Sequence, residues 1–300
     1  MKRKVIQLAG KTFVVSLPSK WVKEWKVKKG DELDVCENGP SIIIKTDENR
    51  EIKKATVDAT HADERVLRWI LSSMHKKGYD EIEIQTQNIK IINELLKDLF
   101  IGFAIIHQTP NSCTIRSLSK ELDDQFENIL RRAFLVTLNM ADQLHEKISK
   151  KDFNFPEIAE LEKTNNQLTN FCQRILNKRG HAEQAKTPFL YVIIWNLEKI
   201  ADDYKYLAEH TSTMKTCTPQ TLKLLDETNK LLREYYEIFY KFETRKLDSL
   251  AGEYKKLHTT ILSELKTSKD PISLNHLAHI VLKIADFSAS TFAINDKYAK

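Results

Sequence analysis

The helical pattern of residues 119–300 limits the fold of this chain more than any other feature of its sequence. Apolar residues recur there at helical spacing, and prolines and short polar segments mark where helices begin and end. The pattern predicts helices at about 118–149, 156–178, 188–210, 218–244, 247–265 and 271–294. The third and sixth of these share similar segments, since residues 197–202 (LEKIAD) parallel residues 281–286 (VLKIAD). We therefore expect a six-helix, all-α region made of two three-helix repeats, at about 119–210 and 218–300.

The chain before this helical region is rich in short strand-like segments. Residues 1–50 follow a ββαββ pattern, with VIQL, TFVVSL, the helix SKWVKEW, ELDVCE and SIIIKT in order. Such a unit can bury only a small core, so we expect it to dimerise. Residues 51–118 follow the order β-α-β-α-β-β and predict a small α/β connector domain. The predicted fold class is thus multidomain α+β.

Positive charge is concentrated at the start of the chain. Residues 1–30 contain nine basic residues and one acidic residue, a net charge of +8, whereas residues 31–300 have a net charge of −3. A local field of this kind suits a phosphate backbone or an anionic lipid surface. Charge alone leaves a second interpretation open, because a run of basic residues can also be an ordinary solvated surface.

Several classes of protein are not favoured by this sequence. No apolar run approaches the ~20 residues of a membrane span, so we expect no membrane insertion. The first residues, MKRKVIQLAGK, lack the apolar core of a secretory signal, which makes a cytoplasmic location the expectation. We find no phosphate-binding loop, no Ser-His-Asp set and no context for a nucleophilic cysteine. We therefore expect a protein that is not an enzyme.

The strand-rich start resembles the AbrB/MazE/SpoVT family of swapped-hairpin domains. The resemblance covers about the first 46 residues and rests on Gly10-Lys11, on Ser16-Leu17-Pro18 followed by the helix Ser19 to Trp25, and on the segment VKKGDEL at residues 27–33. It implies that two chains interleave their hairpins into one dimeric β-barrel that binds duplex DNA. The basic residues that would contact the DNA are Lys2, Arg3, Lys4, Lys11 and Lys20.

Two further features of this segment have structural interpretations. Gly30 stands in a Lys-Gly-Asp turn between helix and strand, where a residue that tolerates positive φ is needed. Trp21 and Trp25 lie one helical turn apart, and we interpret them as packing residues rather than as residues that stack on bases.

The helical region resembles PhoU proteins, particularly archaeal ones that begin with a swapped-hairpin domain. The most specific part is Asn196 to Tyr204 (NLEKIADDY), which is similar to the family's E-(R/K)-I-(A/G)-D signature. The resemblance implies a bound metal ion, Fe, Mn, Zn or Mg, held by Glu198 and Asp202 with Asp142 or Asn166 contributing. Glu198 and Asp202 share one helix face, and such a pair of like charges needs a cation to offset it.

One alternative to this metal site stays open. Salt bridges from Lys199, Lys205 or an arginine of another helix could offset the same charges. The second repeat has Leu282 where the first has an acid, so at most one complete site is expected. His276 and His279 lie three residues apart on the last helix, and we interpret them as surface or capping residues because no acid accompanies them at suitable spacing.

Together these observations predict a DNA-binding transcriptional regulator of phosphate uptake, dimeric through its N-terminal domain, with a helical sensor or partner-binding region. The first alternative is a signalling scaffold that does not bind DNA, in which PhoU-type helices act on a phosphate transporter or kinase and the N-terminal domain only dimerises. An antitoxin-like binder of a partner protein is the second.

Overall fold

The chain divides into two compact units, an N-terminal unit of residues 1–52 and a C-terminal unit of residues 53–300. The computed structural model describes residues 2–38, 40–46, 52–118 and 125–295. The N-terminal unit has two antiparallel hairpins and one short helix. Its elements are β1 (Val5–Leu8), β2 (Thr12–Val15), α1 (Ser19–Glu24), β3 (Leu33–Asn38) and β4 (Ser41–Thr46), so the predicted ββαββ order is confirmed.

Tight turns connect the short elements of the N-terminal unit. Three residues, Ala9 to Lys11, lie between β1 and β2, and the Lys11 amide donates to the Leu8 carbonyl oxygen at 3.3 Å. Ala9 and Gly10, the central residues of this turn, have φ of +48° and +73°, the positive values that a type I′ turn requires. Gly30 has φ of +97°, which confirms the predicted positive-φ turn. The Lys28 amide donates to Oδ2 of Asp31 at 2.6 Å and closes that turn.

The described residues of the N-terminal unit form no buried core within one chain. None of its described residues is buried. Large apolar strand residues face solvent instead, with Phe13 and Val5 each 67% exposed and Ile42 69% exposed. Both hairpins therefore present apolar side chains that a single copy of the chain leaves uncovered.

The first part of the C-terminal unit is a four-stranded sheet with two helices. Its elements are β5 (Lys54–Asp58), α2 (Glu64–Lys76), β6 (Glu81–Gln85), α3 (Ile89–Leu99), β7 (Phe103–Thr109) and β8 (Ser112–Ser117), and this order is the one predicted. The strands are arranged β5-β6-β8-β7, with β5 parallel to β6 and the other pairs antiparallel. Leu67 and Leu71 of α2 pack with Ile82 and Ile84 of β6 in the core of this layer.

The second part of the C-terminal unit consists of long helices. They are α4 (Phe126–Ser149), α5 (Pro156–Arg179), α6 (Thr187–Met214), α7 (Pro219–Tyr240), α8 (Thr244–Leu265) and α9 (Pro271–Asn295). The six predicted helices are thus present. The first helix was predicted to begin at Leu118, which is not helical, and residues 119–124 lie outside the described residues. The helix α6 continues four residues beyond its predicted end. Side chains from all six helices form one continuous apolar core.

The α/β layer and the helices belong to the same compact unit and are joined by polar contacts from α5. Arg174 is almost fully buried and donates to the carbonyl oxygens of His75 at 3.0 Å and Tyr79 at 2.7 Å. Arg174 and Lys178 both form ion pairs with the Asp80 carboxylate. These contacts fix the end of α2 and the start of β6 against α5.

Among the described helices, α9 is long and apolar enough to cross a membrane by length and composition. Its side chains Ile280, Val281, Ile284 and Phe287 are completely buried in the helical core. The apolar residues of α9 therefore belong to the core of the helical bundle, where this helix packs against α6 and α8.

Candidate nucleic-acid interface and acidic network

The basic residues predicted to contact DNA, here named the basic end, are exposed on the N-terminal unit. Lys2, Arg3 and Lys4 precede β1 at the open end of the first hairpin, Lys11 follows the turn at its closed end, and Lys20 lies in the first turn of α1. In the part of the chain that the structure describes, none of these five cations has an ion-pair partner. Their charge is therefore available to an external anion.

The first hairpin separates the basic end into two groups. Each strand of this hairpin has four residues, which at ~3.4 Å per residue places its two ends roughly 14 Å apart. Trp21 of α1 and Trp25, the residue after this helix, are incompletely covered, since Trp21 is half-buried and Trp25 is 36% exposed. One chain thus presents cations at both ends of a short, apolar, solvent-facing hairpin.

The carboxylates predicted to bind metal, Glu198 and Asp202, do lie together on α6. Nζ of Lys199 lies 3.2 Å from Oε1 of Glu198 and 2.9 Å from Oδ2 of Asp202. Burial lowers the pKa of Lys199, but the two carboxylates outweigh this effect and raise it above its usual value. Lys199 is therefore a charged bridge between them.

Two more lysines and one more acid complete this group, which we name the acidic network. Lys76, from α2, has its Nζ 3.7 Å from Oε2 of Glu198. Lys205 donates to Oε1 of Glu162 at 2.8 Å and lies 3.9 Å from Oδ1 of Asp202. Burial raises the pKa of Glu162, against the opposing effect of Lys205.

The other two predicted metal ligands have different surroundings. Asn166 donates to Glu162 at 2.9 Å and so lies at the edge of the acidic network. Asp142 is an exposed residue of α4 whose ion pair is with Arg233 of α7, because the two side chains face each other across these neighbouring helices. The described contacts of Asp142 do not join it to Glu198 or Asp202.

The donor set of the acidic network does not fit a metal ion. Three ammonium groups, from Lys76, Lys199 and Lys205, already offset the three carboxylates, and Lys199 fills the position between Glu198 and Asp202. A divalent cation placed there would meet these positive charges at close range. The arrangement is the salt-bridge alternative that the sequence left open, with an additional lysine from α2.

Comparison with known proteins concerns the N-terminal unit. Residues 6–52 match the MazE family model. That family is described as antidote-toxin recognition MazE, bacterial antitoxin. The match confirms the predicted AbrB/MazE-like domain at the start of the chain, and it runs from Ile6 in β1 through α1 to the end of β4 and beyond. No curated protein and no solved structure matches the chain.

Outside the MazE-type domain, the sequence reasoning missed one group of side chains. His276 and His279 were interpreted as lacking an acid, and this is wrong, because Asp203 of α6 lies against both. The acid is about seventy residues away along the chain, so spacing on α9 could not reveal it. The sequence did contain an indication of this contact. Asp202 and Asp203 are successive residues of a helix, so their side chains point about 100° apart and cannot both face the acidic network.

Proposed function

We propose that this chain is a homodimeric, DNA-binding transcriptional regulator of phosphate uptake, in which the helical region is a PhoU-like sensor or partner-binding module. The observation that carries the proposal is the basic end: five exposed cations that have no ion-pair partner among the described residues, two of them within the MazE-type domain and three just before it. Phosphate contacts by lysine and arginine supply much of the affinity of a DNA-binding protein.

The exposure of apolar strand residues in the N-terminal unit supports the dimer. The strands leave Phe13, Val5 and Ile42 about two-thirds exposed, and an apolar surface of this kind is stabilised when a second surface covers it. A second copy of the same hairpins is the partner that the swapped-hairpin arrangement supplies. Dimerisation also doubles the basic surface.

The spacing of the cations supports contact with a duplex. The two ends of the first hairpin are roughly 14 Å apart, which is close to the ~12 Å width of the major groove of B-DNA. Lys11 at one end and Lys2 to Lys4 at the other could therefore contact phosphates on either side of one groove.

For the helical region, the support is its two sets of three helices and the similar LEKIAD and VLKIAD segments of α6 and α9. This organisation is the one that the PhoU resemblance implies. A phosphate transporter or a signalling protein is the partner class that goes with it.

A second candidate function is recognition of a partner protein by the MazE-type domain, as in an antitoxin. The description of the matching family favours it, and so do the exposed apolar side chains of the hairpins. In that case the apolar strands would bind the partner, and the cations would contribute little to the affinity.

DNA binding by the full chain, measured by fluorescence anisotropy across a range of salt concentrations, tests the proposal. Changing Lys2, Arg3, Lys4 and Lys11 together to Ser should weaken binding at least tenfold. The slope of log K against the logarithm of the salt concentration should also become less negative by about one for each lost phosphate contact. Sedimentation should show that the dimer persists.

A matched control removes four positive charges from the C-terminal unit. Lys90, Lys223, Lys230 and Lys246 are exposed and form at most surface ion pairs, and their change to Ser should leave DNA affinity within about threefold. Equal losses in the two variants would show that only net charge matters. A wild-type chain that binds no duplex even at low salt would favour the partner-protein function instead.

A further inference from the structure

Three side chains from two antiparallel helices converge at one point of the C-terminal unit. Asp203 lies on α6, and His276 and His279 lie on α9; we name them the aspartate–histidine cluster. Oδ1 of Asp203 is 2.9 Å from Nδ1 of His276 and 3.6 Å from Nδ1 of His279. One ligand atom from each side chain lies within 4.8 Å of both others.

Hydrogen bonding among the three residues does not use all of these atoms. His276 is at hydrogen-bond distance from Asp203, but a separation of 3.6 Å places His279 beyond that limit. His279 nevertheless directs the same nitrogen at the same carboxylate oxygen. A cation bound by all three atoms would explain why two imidazole nitrogens converge on one carboxylate oxygen.

The distances agree with those between ligands of a four-coordinate metal. Bonds of ~2.0–2.1 Å to nitrogen and oxygen in a tetrahedral site place neighbouring ligand atoms ~3.3 Å apart. The observed separations of 2.9 and 3.6 Å lie on either side of that value. The third separation, between the two imidazole nitrogens, is at most 4.8 Å.

The remaining contacts hold the carboxylate in place. Asp203 is only 8% exposed, and its second oxygen, Oδ2, accepts a hydrogen bond from Nζ of Lys283 at 2.7 Å. This contact leaves Oδ1 directed towards the imidazoles. Such outer contacts are what orient ligands in metal sites. Exposure of His279 (47%) leaves a route for an ion and for a water molecule as fourth ligand.

We infer that Asp203, His276 and His279 bind one divalent transition-metal ion, with Zn²⁺ the best match. Two imidazoles and one carboxylate with an open position are a ligand set typical of zinc and of ferrous iron. Magnesium and calcium prefer oxygen ligands alone and fit poorly. The site is separate from the acidic network, from which Asp203 points away, and it goes beyond the proposed function because it requires neither DNA nor a partner.

The ion would connect the two three-helix sets, since α6 ends the first and α9 ends the second. Lys283 faces the site as a competing positive charge, and it would moderate the affinity without occupying Oδ1. A further ion pair, His210 of α6 with Asp270 just before α9, at 2.8 Å, lies beyond the cluster along the same contact and would be unaffected.

Titration of the chelator-treated full chain with Co²⁺, followed by its visible absorption, tests this inference, with Zn²⁺ added as competitor. We expect one Co²⁺ per chain, displaced by Zn²⁺, with absorption typical of nitrogen and oxygen ligands. His279→Gln should raise the dissociation constant for Co²⁺ at least tenfold. Because His279 is half-exposed, this variant should fold normally, and circular dichroism checks that it does. Asp203→Asn should have the same effect or a larger one.

Two controls separate this site from others. His145→Gln changes a partly buried histidine of α4 outside the cluster and should leave binding unchanged. Glu198→Gln should also leave it unchanged; if it abolishes binding while His279→Gln does not, the ion lies in the acidic network and the inference is wrong. A wild-type chain that takes up no Co²⁺ at millimolar concentration would overturn it equally.

Discussion

Phe13 offers the most direct test of how the N-terminal unit is stabilised. Its side chain stands on β2 opposite Gln7 of β1 and is 67% exposed in the single chain. A phenylalanine contributes ~150–250 Å² of surface, so at least ~100 Å² remains for a second copy to cover. At ~25 cal/mol per Å², full coverage would stabilise each copy by roughly 3 kcal/mol.

Phe13→Ala should therefore weaken the dimer strongly. Alanine retains part of the contact, and association does not recover the full area term, so about 2 kcal/mol per copy is a reasonable expectation. A symmetric dimer loses this twice, which gives ~4 kcal/mol, or a dissociation constant raised about 10³-fold. Sedimentation equilibrium over a range of protein concentrations measures it.

The control for Phe13 is an aromatic residue of similar exposure in the other unit. Trp69 of α2 is 63% exposed, and Trp69→Ala should change the dissociation constant by less than threefold. The reasoning would be refuted if Phe13→Ala left the dimer as stable as the wild type, or if the wild-type chain sedimented as a monomer at micromolar concentration.

Three further predictions concern stability. Ala9→Asn should stabilise the first hairpin by about 1 kcal/mol, because Asn tolerates the left-handed conformation at lower cost, and thermal unfolding at fixed protein concentration would show it. Asp80→Asn should lower the free energy of unfolding by roughly 2–4 kcal/mol in urea, since Arg174 and Lys178 lose their carboxylate partner. Burial and the neighbouring Glu253 raise the pKa of Glu234 to about 7, so the folded state favours the protonated form. Stability should then fall as pH rises from about 4.5 through 7, and Glu234→Gln should remove part of this fall, only about 1 kcal/mol because the side chain is exposed.

Local patterns predicted the order of the elements correctly. Helical periodicity and proline start signals are properties of neighbouring residues, so they identified α4 to α9, and the Lys-Gly-Asp turn identified the positive φ of Gly30. The same locality predicted that Glu198 and Asp202 share a face of α6. Positive φ at Ala9 was not foreseen, because alanine has no preference for it.

The partners of these side chains could not be read from local spacing. Lys76 reaches Glu198 from α2, and Asp203 reaches His276 from α6, across more than seventy residues in each case. Such contacts depend on how helices pack, and the periodicity of a helix predicts its apolar face but not which helix packs against that face. For this reason the sequence predicted a metal ion beside Glu198 and Asp202, and it did not reveal that Asp203 lies beside His276 and His279.

Asp80 links α5 to the residue at which the C-terminal unit begins. Besides its ion pairs with α5, its Oδ2 accepts from the backbone amide of Lys53 at 3.1 Å, and Lys53 in turn donates from Nζ to the carbonyl of Lys77. Lys53 is the residue at which the chain enters the C-terminal unit. A shift of α5 would thus act, through one carboxylate, on the first residue of the C-terminal unit.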